Sequence, residues 1–327
     1  MQLTLEPLEQ IDTLSVHKGG ENPIRFEVPI KPNHISPASY YPMPNKLLAI
    51  SDVEGNFNTV TTLLKNHRVL DHNLNWHFGN GHVVIIGDVF DRGNHVTELL
   101  WLLYRMEIQA QHKGGAVHLI IGNHEMMNLQ NDLRYAEPKY HTLNTLLQQQ
   151  TQWQYSDLFG PHSELGQWLR SKNTIEQIGD IIFTHGGLSP LMAEQQYSLE
   201  FINQTIRQAI DTPKKDRNDI EQHLFGRHGP MWYRGYFMSL QPNQPKITEE
   251  QLSKVLNHYQ AKAIAVGHTI VDKPQSHFDG RVIAVDVKHP ADHLITFPPR
   301  QSYGVLFVDG QVFIADGDGG LKEMQRL

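Results

Sequence analysis

Three short apolar runs, each ending in a polar cluster and each followed by a helical pattern, constrain this chain more than any other feature. They are LLAISD (Leu47 to Asp52), HVVIIGD (His82 to Asp88) and VHLIIG (Val117 to Gly122). The helical stretches after them are Phe57 to Asn66, ELLWLLYRM (Glu98 to Met106) and NHEMMNL (Asn123 to Leu129). Apolar runs this short, bounded by Gly and polar turn residues, read as strands. Strand-loop-helix units in succession predict an α/β sheet with helices packed on its faces. Later runs repeat the strand signal at Ile178 to His185, Ala263 to His268 and Arg281 to Asp286. Tyr303 to Val308 and Val312 to Ala315, joined by Asp309-Gly310, predict a hairpin.

The rest of the chain is arranged around these strands. Residues 1–45 are rich in Pro and polar side chains and predict an arm on the domain surface. Residues 46–327 then form one catalytic domain. Two polar, mainly helical stretches, Met126 to Asn173 and Leu191 to Tyr259, interrupt it, and both return the chain to strands of the same sheet. They predict insertions, around 126–173 and 191–259, that cover or shape a site.

Charge and composition remove several chemistries. With 28 Lys and Arg against 35 Asp and Glu, the net charge of −7 repels a phosphate backbone at long range, so no nucleic-acid partner is expected. Any phosphate chemistry must come from a local cationic site. The absence of Cys excludes disulfides, thiolate metal sites and a Cys nucleophile together. No run reaches the roughly 18–20 apolar residues of a membrane helix, and no basic start precedes an apolar segment. The expectation is a soluble protein without a membrane partner, cytoplasmic rather than periplasmic.

Five polar clusters sit at strand ends: Asp52-Val53-Glu54-Gly55-Asn56, Gly87 to Gly93, Gly122-Asn123-His124-Glu125, His185-Gly186-Gly187 and Gly267-His268-Thr269. In an open α/β sheet, ligands bind beyond the carboxyl ends of the strands, so these clusters can converge on one crevice. Together they supply carboxylates, a side-chain amide and imidazoles, a donor set suited to Mn²⁺, Fe or Zn²⁺. Two ions about 3.5–4 Å apart need a shared carboxylate, and Asp88 is the expected bridge.

In order, GDVFDRG, GNHE, HGG, the WYRGY segment Trp232 to Tyr236, and GHT resemble the calcineurin-like metallophosphoesterase superfamily. The resemblance runs from about Lys46 to Ala315 and is greatest to the phosphoprotein phosphatase branch and its bacterial Shewanella-like members. It implies a sandwich of two mixed sheets flanked by helices. It also implies one divalent ion on Asp52, Glu54 and Asp88, and a second on Asp88, Asn123, His185 and His268, with Mn expected first. The implied reaction is hydrolysis of a phosphate monoester, on a protein (including phosphotyrosine) or a small molecule, by hydroxide held between the ions. His124 would protonate the leaving oxygen with Asp91 holding its ring, while Arg92 and Arg234 clamp phosphate oxygens.

Two departures stand out: Glu54 occupies the position of a His in the family pattern, and Ile270 replaces a second His found in many phosphodiesterase members. The second favours monoesterase chemistry. The rivals are a hydrolase of dinucleoside polyphosphates or cyclic nucleotides, and a degenerate module that binds metal or phosphate without turnover. Elsewhere the readings are structural. His118 is expected as a satisfied core or edge histidine, His223 and His228 as loop residues, and Met126-Met127 and Trp101-Leu102-Leu103 as core. Asp316-Gly-Asp318-Gly-Gly is expected as a terminal turn.

Overall fold

The structure, a computed structural model, describes residues 11–19, 23–240, 246–292 and 300–326. Residues 1–10 of the expected arm lie outside these. The chain enters as a hairpin of β1 (Thr13–Lys18) and β2 (Ile24–Pro29), followed by β3 (Tyr40–Tyr41). The three strand-loop-helix units then appear as β4 (Lys46–Ile50) with α1 (Phe57–Asn66), β5 (His82–Ile85) with α2 (Val96–Gln111), and β6 (Ala116–Leu119) with α3 (Asn123–Leu129). The first polar stretch folds into α4 (Pro138–Gln150) and α5 (Glu164–Ser171), and it leads to β7 (Ile175–Ile178) and β8 (Ile181–Thr184). The second holds α6 (Pro190–Glu194), α7 (Leu199–Ala209), α8 (Asp219–Leu224) and α9 (Glu249–Tyr259). Strands β9 (Ala263–Val266), β10 (Gln275–His277), β11 (Val282–Ala284), β12 (Tyr303–Val308), β13 (Gln311–Asp316) and β14 (Leu321–Arg326) complete the fold.

These strands form two six-stranded mixed sheets, ordered β10-β11-β9-β8-β7-β3 and β14-β13-β12-β4-β5-β6. Because side chains alternate across a strand, each central strand must bury both faces. Leu47 and Ala49 of β4, Val84 of β5, and Phe183 and Ala265 of the other sheet share one apolar cluster between the sheets. Leu48, Ile50, Val83 and Ile85 turn the other way, into the cluster that contains Leu63, Leu64, Leu99 and Leu103 of α1 and α2. Phe183 and Phe307 meet across the gap with ring centroids 5.9 Å apart. The layers are therefore helices, sheet, sheet and helices, the sandwich expected from the resemblance.

Several details go beyond the sequence pattern. The run Ile178 to His185 holds β8, and a tight turn at Gly179, whose φ is +62°, joins it to β7 as a hairpin. Tyr40 and Tyr41 pair in parallel with Gln177 and Ile178, so this part of the arm is the edge strand of a sheet. Val28 of the arm is fully buried. Asp309 and Gly310 both take positive φ, at 50° and 74°, as a two-residue hairpin turn demands. The Asp316–Gly320 segment is a turn, but it joins β13 to β14 instead of closing the chain.

Candidate active site

The loops after β4 and β5 run side by side: the amides of Asp52, Glu54 and Gly55 donate to the carbonyls of Gly87, Asp88 and Val89 at 3.1, 2.9 and 2.8 Å. This forces unusual backbone. Asp52, Glu54, Asp88, Asp91, Arg92 and His268 all have φ between 47° and 72°, a region that disfavours residues with a Cβ and costs about 1–3 kcal/mol each. Six of the ten residues singled out from sequence thus hold strained conformations at one place. Glu125 helps to hold them there. Its buried carboxylate accepts from the amides of Gly122 and Asp88, both at 2.8 Å, and from Val89 at 2.6 Å. Gly122 is required because a Cβ there would lie 2.3 Å from Asp88 Oδ1.

On this frame the fold brings together Asp88, His185 and His268, whose donor atoms all lie within 4.8 Å of one another, every one buried. His185 Nδ1 donates to the Ile86 carbonyl at 2.7 Å, which turns Nε2 to Asp88 Oδ2 at 3.0 Å and to Asn123 Oδ1 at 2.9 Å. Burial disfavours charge on this imidazole, but Asp88 and then Asp52 outweigh it and raise its pKa to about 10. A proton on Nε2 is therefore held between two oxygens, Asp88 Oδ2 and Asn123 Oδ1. His268 differs: its Nε2 is buried without a hydrogen-bond partner, and burial together with His185 keeps it neutral. A buried imidazole nitrogen without a hydrogen-bond partner, beside a carboxylate and a second imidazole, fits a divalent cation.

Asp52 lies next to this set. Its Oδ2 accepts from Ser51 Oγ at 2.5 Å and from the His268 amide at 3.1 Å, and burial raises its pKa to about 6. Glu54 stands farther out, with its carboxylate ion-paired to Arg92. Asp286, two residues past β11, is 2% exposed, and burial and then Asp52 push its carboxyl up to about 9. Sequence reasoning gave Asp286 no role. Its signal was the one used elsewhere, an apolar run (VIAV) ending in Asp at a strand's carboxyl end.

The residues expected to act on substrate surround the set. His124 Nδ1 bonds Asp91 Oδ2 at 2.5 Å, and Asn128 fixes the other Asp91 oxygen at 2.9 Å. Burial would lower the His124 pKa, but Asp88 and the Asp91 hydrogen bond raise it. Its Nε2 lies 3.7 Å from Asp88 and 3.4 Å from Arg92. Arg234 reaches in from the second insertion, its Nη2 3.4 Å from His268 Nδ1. Of the residues read as structural, His118 is buried and satisfied, by Glu176 at 2.6 Å and His82 at 3.0 Å. His223 falls in α8 rather than in a loop.

The profile of the calcineurin-like phosphoesterases matches residues 45–272. The chain belongs to that family of hydrolases, which cleave phosphate esters. Among its relatives, Shewanella-like protein phosphatase 1 of Plasmodium berghei (strain Anka) is 30% identical over 225 residues, 68% of this chain and 61% of that protein. The chain thus spans less than two thirds of that relative's length. Shewanella-like protein phosphatase 2 of Arabidopsis thaliana is 26% identical over 276 residues, covering 70% of this chain and 67% of its own. The solved cold-active protein-tyrosine phosphatase of a psychrophilic Shewanella species superposes with a TM-score of 0.82 at 36% identity, over 96% of this chain and 91% of that one. Among the described residues, no helix is long and apolar enough to cross a membrane.

Proposed function

We propose that this chain is a phosphatase that hydrolyses phosphate monoesters, phosphoproteins first among them, with two divalent metal ions. The observation that carries the reading is the buried Asp88, His185 and His268 triplet with its unpartnered His268 Nε2. Asp88, Asn123, His185 and His268 would hold one ion. Asp52, Asp88 and Glu54 would hold the other, with Asp286 as a further carboxylate beside Asp52. When bound, such ions supply Lewis acidity toward phosphoryl oxygens and make water acidic enough to serve as nucleophile near neutral pH.

The protein's own groups do the rest. His124, held by Asp91 through Nδ1 and kept protonated by its carboxylate neighbours, presents Nε2–H to the leaving oxygen. Arg92 and Arg234 bracket the crevice and bind phosphoryl oxygens. The ion pair with Glu54 and the ring of Tyr135, 5.5 Å away, orient Arg92. Named relatives that are protein phosphatases, one of them a protein-tyrosine phosphatase, favour phosphoprotein substrates. The oxygen-rich first site favours Mn over Zn or Fe.

The test is metal analysis of protein reconstituted with Mn²⁺, Fe²⁺ or Zn²⁺, alongside a panel of p-nitrophenyl phosphate, an aryl phosphodiester and a dinucleoside polyphosphate. Two ions per chain and turnover of the monoester alone are expected. Metal-independent turnover, or none, would refute the reading.

A further inference from the structure

Beside the crevice, and sharing Asn123 with it, lies a groove of about 560 Å³ walled by both insertions. Next to Asn123 its lining is apolar, from Met126, Met127 and Trp232, and Trp232 packs edge-on against His268 with centroids 5.6 Å apart. The charged lining is strongly one-sided. Arg134, Lys214, Arg217 and Arg227 face a single acid, Asp132. Arg134 already occupies that acid, through Nε at 2.9 Å and Nη2 at 2.6 Å. Among the described residues, no carboxylate lies within ion-pair distance of Lys214, Arg217 or Arg227. Elsewhere in the chain, Lys31 and Lys172 pair with Glu107 and Arg281 with Glu249.

Arg217 is the informative member. It is 8% exposed, its guanidinium lies 3.8 Å over the Phe225 ring, and its buried Nε has no partner. Burying a cation with an unsatisfied donor is unfavourable unless an anion completes it. None of these cations belongs to the metal motifs. All come from the two insertions that wall the groove.

We propose that the groove binds acidic side chains flanking the phosphorylated residue of a phosphopeptide. The inference rests on the phosphatase reading and adds the substrate's sequence context. A peptide fits better than a polyphosphate chain, because the helix α3 residues that follow Asn123 along the groove, Met126 and Met127, are apolar, whereas contiguous phosphates would need cations there. An extended peptide can lay apolar atoms on that stretch and place its carboxylates against Lys214, Arg217 and Arg227.

The experiment uses the metal-reconstituted full chain, p-nitrophenyl phosphate, and three phosphotyrosyl peptides of equal length with acidic, neutral or basic flanks. The acidic peptide should exceed the neutral one in kcat/KM by about 10-fold, mainly through KM, and the advantage should shrink between about 0.05 and about 0.5 M salt. A Lys214→Glu/Arg227→Glu double variant, both positions being exposed, should reverse the order toward basic flanks, with its unfolding midpoint confirming the fold. If p-nitrophenyl phosphate is not hydrolysed with any metal, the phosphatase reading falls and this proposal with it. If it is hydrolysed but the three peptides are equivalent, or the double variant keeps the wild-type order, the groove is not an acidic-peptide site and the phosphatase reading stands. Faster turnover of a polyphosphorylated small molecule than of the acidic peptide would likewise overturn the peptide assignment.

Discussion

Two buried polar clusters, one beyond the carboxyl ends of β4, β5, β8, β9 and β11 and one beside β6 and β7, are built on opposite principles. At the carboxyl ends, Asp52, Asp88, His185, His268 and Asp286 gather acids and imidazoles, with His268 Nε2 unpartnered and with Asp52, Asp88 and His268 held at positive φ. Beside β6 and β7, His118 is clamped between Glu176 and His82, while Glu107 binds Lys31 at 2.7 Å, Lys172 at 2.5 Å and the Trp168 indole at 2.9 Å. None of these residues has a positive φ. The cavity there, about 770 Å³, is larger than the groove beside the crevice, so size does not locate the chemistry. A satisfied buried network braces a fold, whereas an unsatisfied, strained one awaits a ligand.

The contrast is broken most directly by removing one carboxylate from each cluster. Asp88→Asn takes away the proposed shared ligand and should lower kcat/KM for p-nitrophenyl phosphate by about 10³-fold or more, with loss of bound metal. Glu176→Gln should leave metal content and turnover in place and cost about 1–3 kcal/mol of stability, read from denaturant unfolding. If Asp88→Asn behaves like Glu176→Gln, the crevice is scaffold too.

His124→Asn comes next. Loss of the general acid should cost about 10²–10⁴-fold on an alkyl phosphate and clearly less on p-nitrophenyl phosphate, whose leaving oxygen needs no proton. Equal losses on the two substrates would take His124 out of the acid role.

The crevice should also make stability depend on pH. In chelated protein, His185 and Asp286 hold protons in the folded state, at about 10 and about 9, that the unfolded chain has already released. Folded protein then binds more protons than unfolded between pH 7 and 10, so its stability must fall as pH rises through that window. A divalent ion bound at the proposed site would replace those protons. The rise in unfolding midpoint on adding Mn²⁺ should therefore grow from pH 7 to pH 9, and a rise independent of pH would place the ion elsewhere.

The crevice was legible in sequence because its signals are local. An apolar run ending in Gly-Asp, Gly-Asn-His or His-Gly-Gly announces a strand and its loop within a few residues, and the hairpin at Asp309-Gly310 was readable for the same reason. What stayed hidden depends on distant pairing. Tyr40-Tyr41 becomes a strand only by lying along Gln177 and Ile178. His289 is a buried part of the site's support only because its Nε2 meets the Ser51 carbonyl at 2.9 Å. The Glu54–Arg92 pair joins two motifs whose spacing says nothing of contact.

Glu54 carries the smallest expected effect and the sharpest question about the first site. Replacing the family's imidazole with a carboxylate adds negative charge where Asp52 and Asp88 already supply two, and the structure spends part of that charge on Arg92. An ion held by three carboxylates and no nitrogen suits Mn²⁺ better than Zn²⁺, and its charge is more fully neutralised, so water bound to it is less acidic. Wild-type activity should therefore rise toward alkaline pH and be higher with Mn²⁺. Glu54→His should move the metal ranking toward Zn²⁺ and Fe²⁺, shift the basic limb of the rate profile to lower pH, and change kcat by only about 10-fold. It also frees Arg92, so KM for p-nitrophenyl phosphate should change as well. Glu54→Gln separates the two roles, since it weakens the Arg92 pair without offering a nitrogen ligand. If Glu54→His keeps the wild-type metal ranking and pH profile while both variants raise KM equally, Glu54 serves Arg92 alone, and Asp286 becomes the carboxylate that completes the first site.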